Sequence, residues 1–215
     1  MAAINVNPTR MELKKLKTRL LTARRGHKLL KDKRDELMKQ FLEVVRENKQ
    51  LREEVEGAIA DVHRSFTVAA AVSSPQMLTE ALMLPKTATA LSVESRNVMS
   101  VNVPVFRLSG NAGEGETESG GINYGFASTS GELDAATARL SAALPLLVRL
   151  AESEKTAQLL ADEIEKTRRR VNALEYIMIP ELAAGIKTIT MKLDENERGN
   201  ITRLMKVKEM IANNR

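Results

Sequence analysis

Cysteine is absent from this 215-residue chain, and so is tryptophan. The first absence excludes disulfides, thiolate metal sites and cysteine nucleophiles, and it suits a reducing compartment. With four Phe and two Tyr, the chain has little aromatic bulk for a thick globular core. A two-helix seam needs none, because Leu, Ile, Val, Ala and Met fill it. Only two histidines occur, His27 and His63, and on one straight helix they would stand about 54 Å apart. No HExxH motif and no Cys/His cluster exists. The glycine-rich stretch at 110–121 lacks the GK[ST] ending of a phosphate loop, so nucleotide binding is not expected. No apolar run reaches the length of a membrane span, and the first residues lack the apolar stretch of a signal peptide. The expectation is an intracellular, soluble chain, or one held to a membrane only through a partner.

What is present is a sustained apolar beat. Leu13, Leu16, Leu20, Ala23, His27, Leu30, Arg34, Leu37, Phe41, Val44, Asn48, Leu51, Val55, Ala58, Val62, Ser65 and Ala69 follow one another at alternating steps of three and four. That is a heptad, and it predicts one long helix from about residue 10 to residue 70. Unbroken, it would span roughly 90 Å at 1.5 Å per residue. Pro8 biases Asn7 away from the helix, and Thr9 with Glu12 predicts a capping box. Gly26 and Gly57 fall inside the helix, at a cost of about 1 kcal/mol each against Ala; they could mark the close approach of another backbone.

The formal charge of +5 is unevenly spread. Residues 1–50 carry 14 basic and 6 acidic side chains, whereas residues 132–215 are near balance at 14 and 13. A basic helical end could track nucleic-acid phosphate, lie on an anionic membrane or face an acidic protein. The leucine seam argues against the membrane, because a helix buried along one stripe has only polar flanks to offer.

The beat stops at Ser73-Ser74-Pro75, and residues 76–83 read as a short helix. From Thr87 to Phe106 the chain is rich in Val, Thr and Ser. Val101, Val103 and Val105 alternate as in a strand, with Pro104 placing it at a sheet edge. Residues 109–121 read as an acidic loop, and Ile122 to Ala127 as a second strand. Seven of the eleven glycines fall between Gly110 and Gly131. Such an insert is too small for a deep ligand pocket. The helical pattern resumes near Thr129 or Ser130, with Thr129 and Glu132 as another possible box. It continues through Leu133, Leu140, Leu144, Leu160, Ile164, Val171, Leu174, Met178, Leu182, Ile189, Ile201, Leu204 and Ile211. Pro145 and Pro180 make this either one kinked helix or two end to end.

Two such helices joined by a compact insert must turn back on each other. The expected fold is mostly α: a long antiparallel two-helix coiled coil with a small β-containing insert. Its segments are 1–71, the first helix; 72–131, the insert; and 132–215, the second helix, which is the longer and overhangs. His27, Arg34 and Asn48 read as register-fixing polar positions on the seam. Lys166 and Arg168-Arg169-Arg170 form the densest basic run. Three consecutive helical residues point about 100° apart, so some of these arginines must face a partner or fold back to Glu163, Glu165 or Glu175. No catalytic, cofactor-binding or metal residue is predicted, and no cofactor.

Three stretches carry a resemblance: NVNPTRMEL at 5–13, RGHKLLKDKRDEL at 25–37, and EIEKTRRRVNALEY at 163–176 followed by Ile179-Pro180. With them the chain resembles the D subunits, the central rotor shafts of V-type and archaeal-type rotary ATPases, in their bacterial form. The resemblance implies an antiparallel coil whose terminal end enters a hexamer of alternating catalytic A and B subunits. It implies the small F subunit on the lower part, and the funnel subunit (C or d) at the base on the membrane ring. It implies a hairpin that influences ATPase activity, and rotation coupling ATP hydrolysis or synthesis to H⁺ or Na⁺ transport. The complex would lie on the cytoplasmic side of the plasma membrane, with this chain peripheral, not inserted, and not bound to nucleic acid. Catalytic residues belong to the A subunit. The rivals are a basic coiled coil associated with nucleic acid, which lacks the expected aromatic–basic interleaving, and a filament-like scaffold, which would want no β insert.

Overall fold

A computed structural model describes residues 7–83, 89–110, 124–125 and 129–213. Helix α1, Arg10–Val72, is unbroken over 63 residues. The Thr9 hydroxyl caps it, accepting the Glu12 amide at 3.2 Å. The predicted box closes on this side only. The Thr9 amide donates to the Asn7 carbonyl instead, and the Glu12 carboxylate turns to Lys15 Nζ at 3.6 Å. All seventeen seam positions named above are buried or half-buried. Gly26 and Gly57 do not mark a close approach: a Cβ at either would meet nothing within 4 Å.

Helix α1 stops because Ser74-Pro75 starts a new helix, α2, Pro75–Met83. The Ser74 hydroxyl accepts the Met77 amide at 3.3 Å, and Pro75 takes the first helical position, where its missing N–H costs nothing. Strands β1, Thr89–Val98, and β2, Val101–Gly110, form a two-stranded antiparallel hairpin. The sequence predicted one strand where there are two. The partner of the valine-rich strand is its immediate neighbour rather than residues 122–127, of which Tyr124 and Gly125 are not in a strand and the others lie outside the described residues. Helix α3 runs Gly131–Ala173, a π-helical turn covers Leu174–Met178, and α4 runs Ile179–Asn213. The box expected at Thr129 is absent. Its hydroxyl donates to the Gly125 carbonyl at 3.0 Å, and Ser130 precedes the helix, its hydroxyl 3.2 Å from that of Ser73.

Neither proline ends the helix as a break would. Pro145 sits exposed within an unbroken α3, where solvent can satisfy the carbonyl it leaves unpaired. Pro180 has no N–H for the carbonyl four residues back. The chain answers by widening: the Ile179 amide bonds Leu174 O, five residues back.

The chain forms two compact units, Met1–Glu36 with Ile164–Arg215, and Leu37–Glu163. In the first, α1 meets the later helices in antiparallel order. Arg10 pairs with Glu197 and His27 with Glu175, and Gly185 lies where a Cβ would be 3.7 Å from Leu16 Cδ1. Leu16, Thr167, Val171 and Ile189 are its buried side chains, with Ile164. In the second unit the order is again antiparallel: Arg52 with Glu154 at 2.7 Å, Ser65 with Arg139, Ser73 with Ser130. Here Leu37, Leu51, Val55 and Leu160 fill the seam. Near the insert Ala69, Ala81 and Leu133 close a small core, flanked by Leu78 and Tyr124. The Tyr124 hydroxyl donates to Asp134 at 2.7 Å, and burial is the main cause of its raised pKa.

Leu37 is fully buried, so truncating it leaves a cavity as well as losing transfer free energy. Leu37→Ala is expected to lower the unfolding free energy by about 2–5 kcal/mol, read from urea denaturation.

Candidate functional site

The hairpin is held by its own turn and by the coil. Met99 and Ser100 adopt φ of 50° and 72°, the pair of positive values that a two-residue hairpin turn of type I′ requires. Neither is glycine. Asn97 compensates, its Oδ1 accepting the Ser100 amide at 3.1 Å and its Nδ2 donating to Asn102 at 2.8 Å. With Val98 opposite Val101 at the turn, alternate pairs exchange ladder hydrogen bonds. Pro104 therefore falls at a position with no ladder bond to give. Phe106 does too, and its amide points outward to Glu152 Oε2 on α3 at 3.0 Å. The inner face presses Val101 and Val103 onto the coil. Between hairpin and helices lies a small polar cavity of about 230 Å³, lined by Leu51, Arg96, Arg149, Glu152 and Ser153 among others.

In the first unit an open groove of about 910 Å³ has a floor of Met11, Leu174, Met178 and Leu182 and a rim that includes Lys14 and Arg19. Its origin is local. Thr18, Thr22, Ala23 and Gly26 on the α1 side are small. Leu174, Met178 and Leu182 follow at two successive steps of four, and the π turn absorbs the residue by which this departs from a heptad. Tyr176 and Ile177 are turned outward at 72% and 56% exposure.

The polar seam residues do not assemble a chemical centre. His27 Nε2 lies 3.3 Å from Glu175 Oε2. Arg34 binds its neighbour Asp35 at 2.6 Å. Asn48 is half-buried in the other unit, and His63 is exposed on α1. Of the three consecutive arginines, Arg169 folds back to Glu165, and among the described residues Arg168 and Arg170 have no ion pair. Of the other two acceptors expected for them, Glu163 and Glu175, the second is taken by His27. Among the described residues no three His, Asp or Glu side chains gather as a metal site.

The sequence predicted an overhanging helix, and the structure shows the apolar surface that it carries at the end of α4. Ile201, Leu204, Met205, Val207, Met210 and Ile211 are all exposed, and nothing among the described residues covers them. Their spacing was legible, but exposure shows only once Arg10 is seen to meet Glu197. An apolar face of this extent on a charged helix marks a contact with another molecule.

Antiparallel helix pairs, a thin seam and uncovered flanks define a coiled-coil element built to be gripped by other chains. The model of the family described as the D subunit of ATP synthase matches residues 12–209. The V-type ATP synthase D subunit of Acetivibrio thermocellus is 62% identical over 211 residues, covering 98% of this chain and 94% of the relative. That of Clostridioides difficile is 58% identical, covering 98% and 93%, and that of a Thermoanaerobacter species 55%, covering 98% and 99%. The chain belongs to this family of ATP synthase D subunits, the central-stalk subunits of V-type rotary ATPases. The nucleic-acid and scaffold alternatives find no support in these relationships. Among the described residues no helix is long and apolar enough to cross a membrane.

His27 and Glu175 are partly solvated, at 22% and 49% side-chain exposure. A double-mutant cycle with His27→Ala and Glu175→Gln is expected to give a coupling energy below about 1 kcal/mol in urea denaturation. A value of several kcal/mol would contradict a register role.

Proposed function

We propose that this chain is the torque-carrying shaft of its rotary ATPase, coupling ATP hydrolysis or synthesis in a hexamer of A and B subunits to H⁺ or Na⁺ movement through a membrane ring. Its working parts are the segment 1–71, which carries α1, the insert of 72–131 and the segment 132–215, which carries α3 beyond its first residue and α4. It has no catalytic, cofactor or metal residue of its own. The supporting observation is the coincidence, in one unit, of an apolar groove, its cationic rim and the uncovered apolar face of α4. These suit the changing inner wall of a hexamer, which must be touched without being locked. In the other unit Met38, Leu42 and Val45 are exposed at helical spacing, a stripe that fits a helix of the F subunit. The funnel subunit then takes the insert end, and the assembly sits on the cytoplasmic side of the plasma membrane.

Lys14, Lys15, Arg24 and Arg25 are exposed on α1. Reversing all four to Glu is expected to lower ATP-driven ion pumping several-fold in the reconstituted complex, and more at low salt, where screening is weaker. Unchanged pumping at both low and high salt would sink the electrostatic part of this reading. Co-purification with one small and two large nucleotide-binding subunits tests the whole. Deleting Thr89–Gly110 removes a hairpin whose strands, among the described residues, pair as strands only with each other, and which lies against the coil. Helix content by circular dichroism is expected to persist while coupled ATPase activity changes; normal activity would count against a regulatory hairpin.

A further inference from the structure

The two edges of the hairpin are unlike. The outer edge of β2 is blocked at its middle: Phe106 donates to Glu152, and Pro104 has no N–H to offer. Among the described residues nothing pairs with the outer edge of β1. Counting from the turn, Ser92, Glu94, Arg96 and Val98 give their amides to β2, so Leu91, Val93, Ser95 and Asn97 direct theirs away from it. No hydrogen bond reaches the Leu91, Val93 or Ser95 amides from the described residues, and nine of the ten β1 residues are exposed.

Strands left open at an edge are ordinarily shielded by proline, bulges, lysines or a covering element. β1 carries charge only at Glu94 and Arg96, on the face toward the coil, and among the described residues no element covers its edge. Its sequence, TALSVESRNV, contains no proline or lysine, and its register with β2 is one-to-one over all ten residues, without a bulge. The face turned from the coil is apolar where the edge is open. Leu91 stands opposite Leu108 and Val93 opposite Phe106, with Leu91 and Val93 at 49% and 62% exposure. On the other face Glu94 is satisfied by Arg107 at 3.1 Å, whereas Arg96 has no ion-pair partner among the described residues.

We propose that β1 is an augmentation edge, on which an extended segment of a neighbouring subunit pairs as a third strand. Main-chain bonds to Leu91, Val93 and Ser95 supply the affinity, and the side chains set the choice of partner. The occupant carries apolar residues beside Leu91 and Val93 and a carboxylate beside Arg96. Running antiparallel to β1, it reads acidic-x-x-apolar-x-apolar. The inference rests on the reading that this chain works inside an assembled ATPase.

Amide hydrogen exchange, resolved to single residues, tests it on the isolated chain and on the purified complex. Assembly is expected to slow the Leu91, Val93 and Ser95 amides by roughly 100-fold, while Ser92, Glu94 and Arg96, already in the ladder, change far less. Val93→Pro removes only an outward donor and is expected to return Leu91 and Ser95 to fast exchange in the complex. Val93→Lys, which keeps the amide but sets a charge on the apolar face, is expected to do the same. Equal rates in the free and assembled chain would overturn the edge and leave the shaft reading intact. Failure of the chain to assemble would overturn both. Protection already present in an isolated chain that runs as a dimer would assign the edge to a second copy and overturn the proposal.

Discussion

Everything in this molecule depends on one narrow seam. In each unit a stripe on α1 lies against a stripe on the later helices, and few other contacts bury side chains. Among the described residues few side chains are fully buried. The largest of these are Leu, Ile and Val, with Thr167 among them, and their burial contributes about 1.5–3 kcal/mol each for the apolar ones. The ion pairs across the seam add little: Arg10 and Glu197 are 80% and 61% exposed, Arg52 and Glu154 60% and 43%, and solvated pairs contribute about 0–1 kcal/mol. They fix register and orientation more than stability.

Register is then the quantity the sequence must protect, and Pro180 shows how. A proline inside a helix usually costs about 3 kcal/mol by losing a bond and crowding the carbonyl behind it. Here the turn before it widens, and Ile179 reaches back to Leu174. The apolar steps on either side change in phase with the widening, so Ile189 is again fully buried downstream. Pro145 needs no such device because it faces solvent.

The first seam was fully legible because its heptad is unbroken by composition: every position read from the spacing is covered. The later helices were less so. Leu140 and Leu144 fit the spacing yet are exposed, whereas Ala136, Ala143 and Thr167 are buried. Near the insert the helices use alanine to approach closely, and hydrophobicity alone cannot rank an alanine above a leucine. The hairpin was half-legible. Valines announced β2, but β1 was merged with it because Met99-Ser100 lacks the Asn-Gly or Asp-Gly signal of a tight turn. The signal was displaced onto Asn97, which holds the turn from outside it. Gly26 was legible as an anomaly but not as a cause; it opens a groove instead of admitting a backbone.

A seam this thin leaves most of each helix free, and that freedom has functional content. The polar residues His27, Arg34 and Asn48 each settle into local partners or into the seam. What stays unsatisfied among the described residues is of another kind: Arg168 and Arg170 without counter-charges, the apolar end of α4 without cover, the β1 edge without a third strand. These are contacts that other chains complete. Torque transmission requires register-locked helix pairs together with flanks that do not bind too tightly. A tighter flank would hold one rotational state too long, because each additional 1.4 kcal/mol of contact slows release about tenfold. A looser seam would let the axis twist before its partners move.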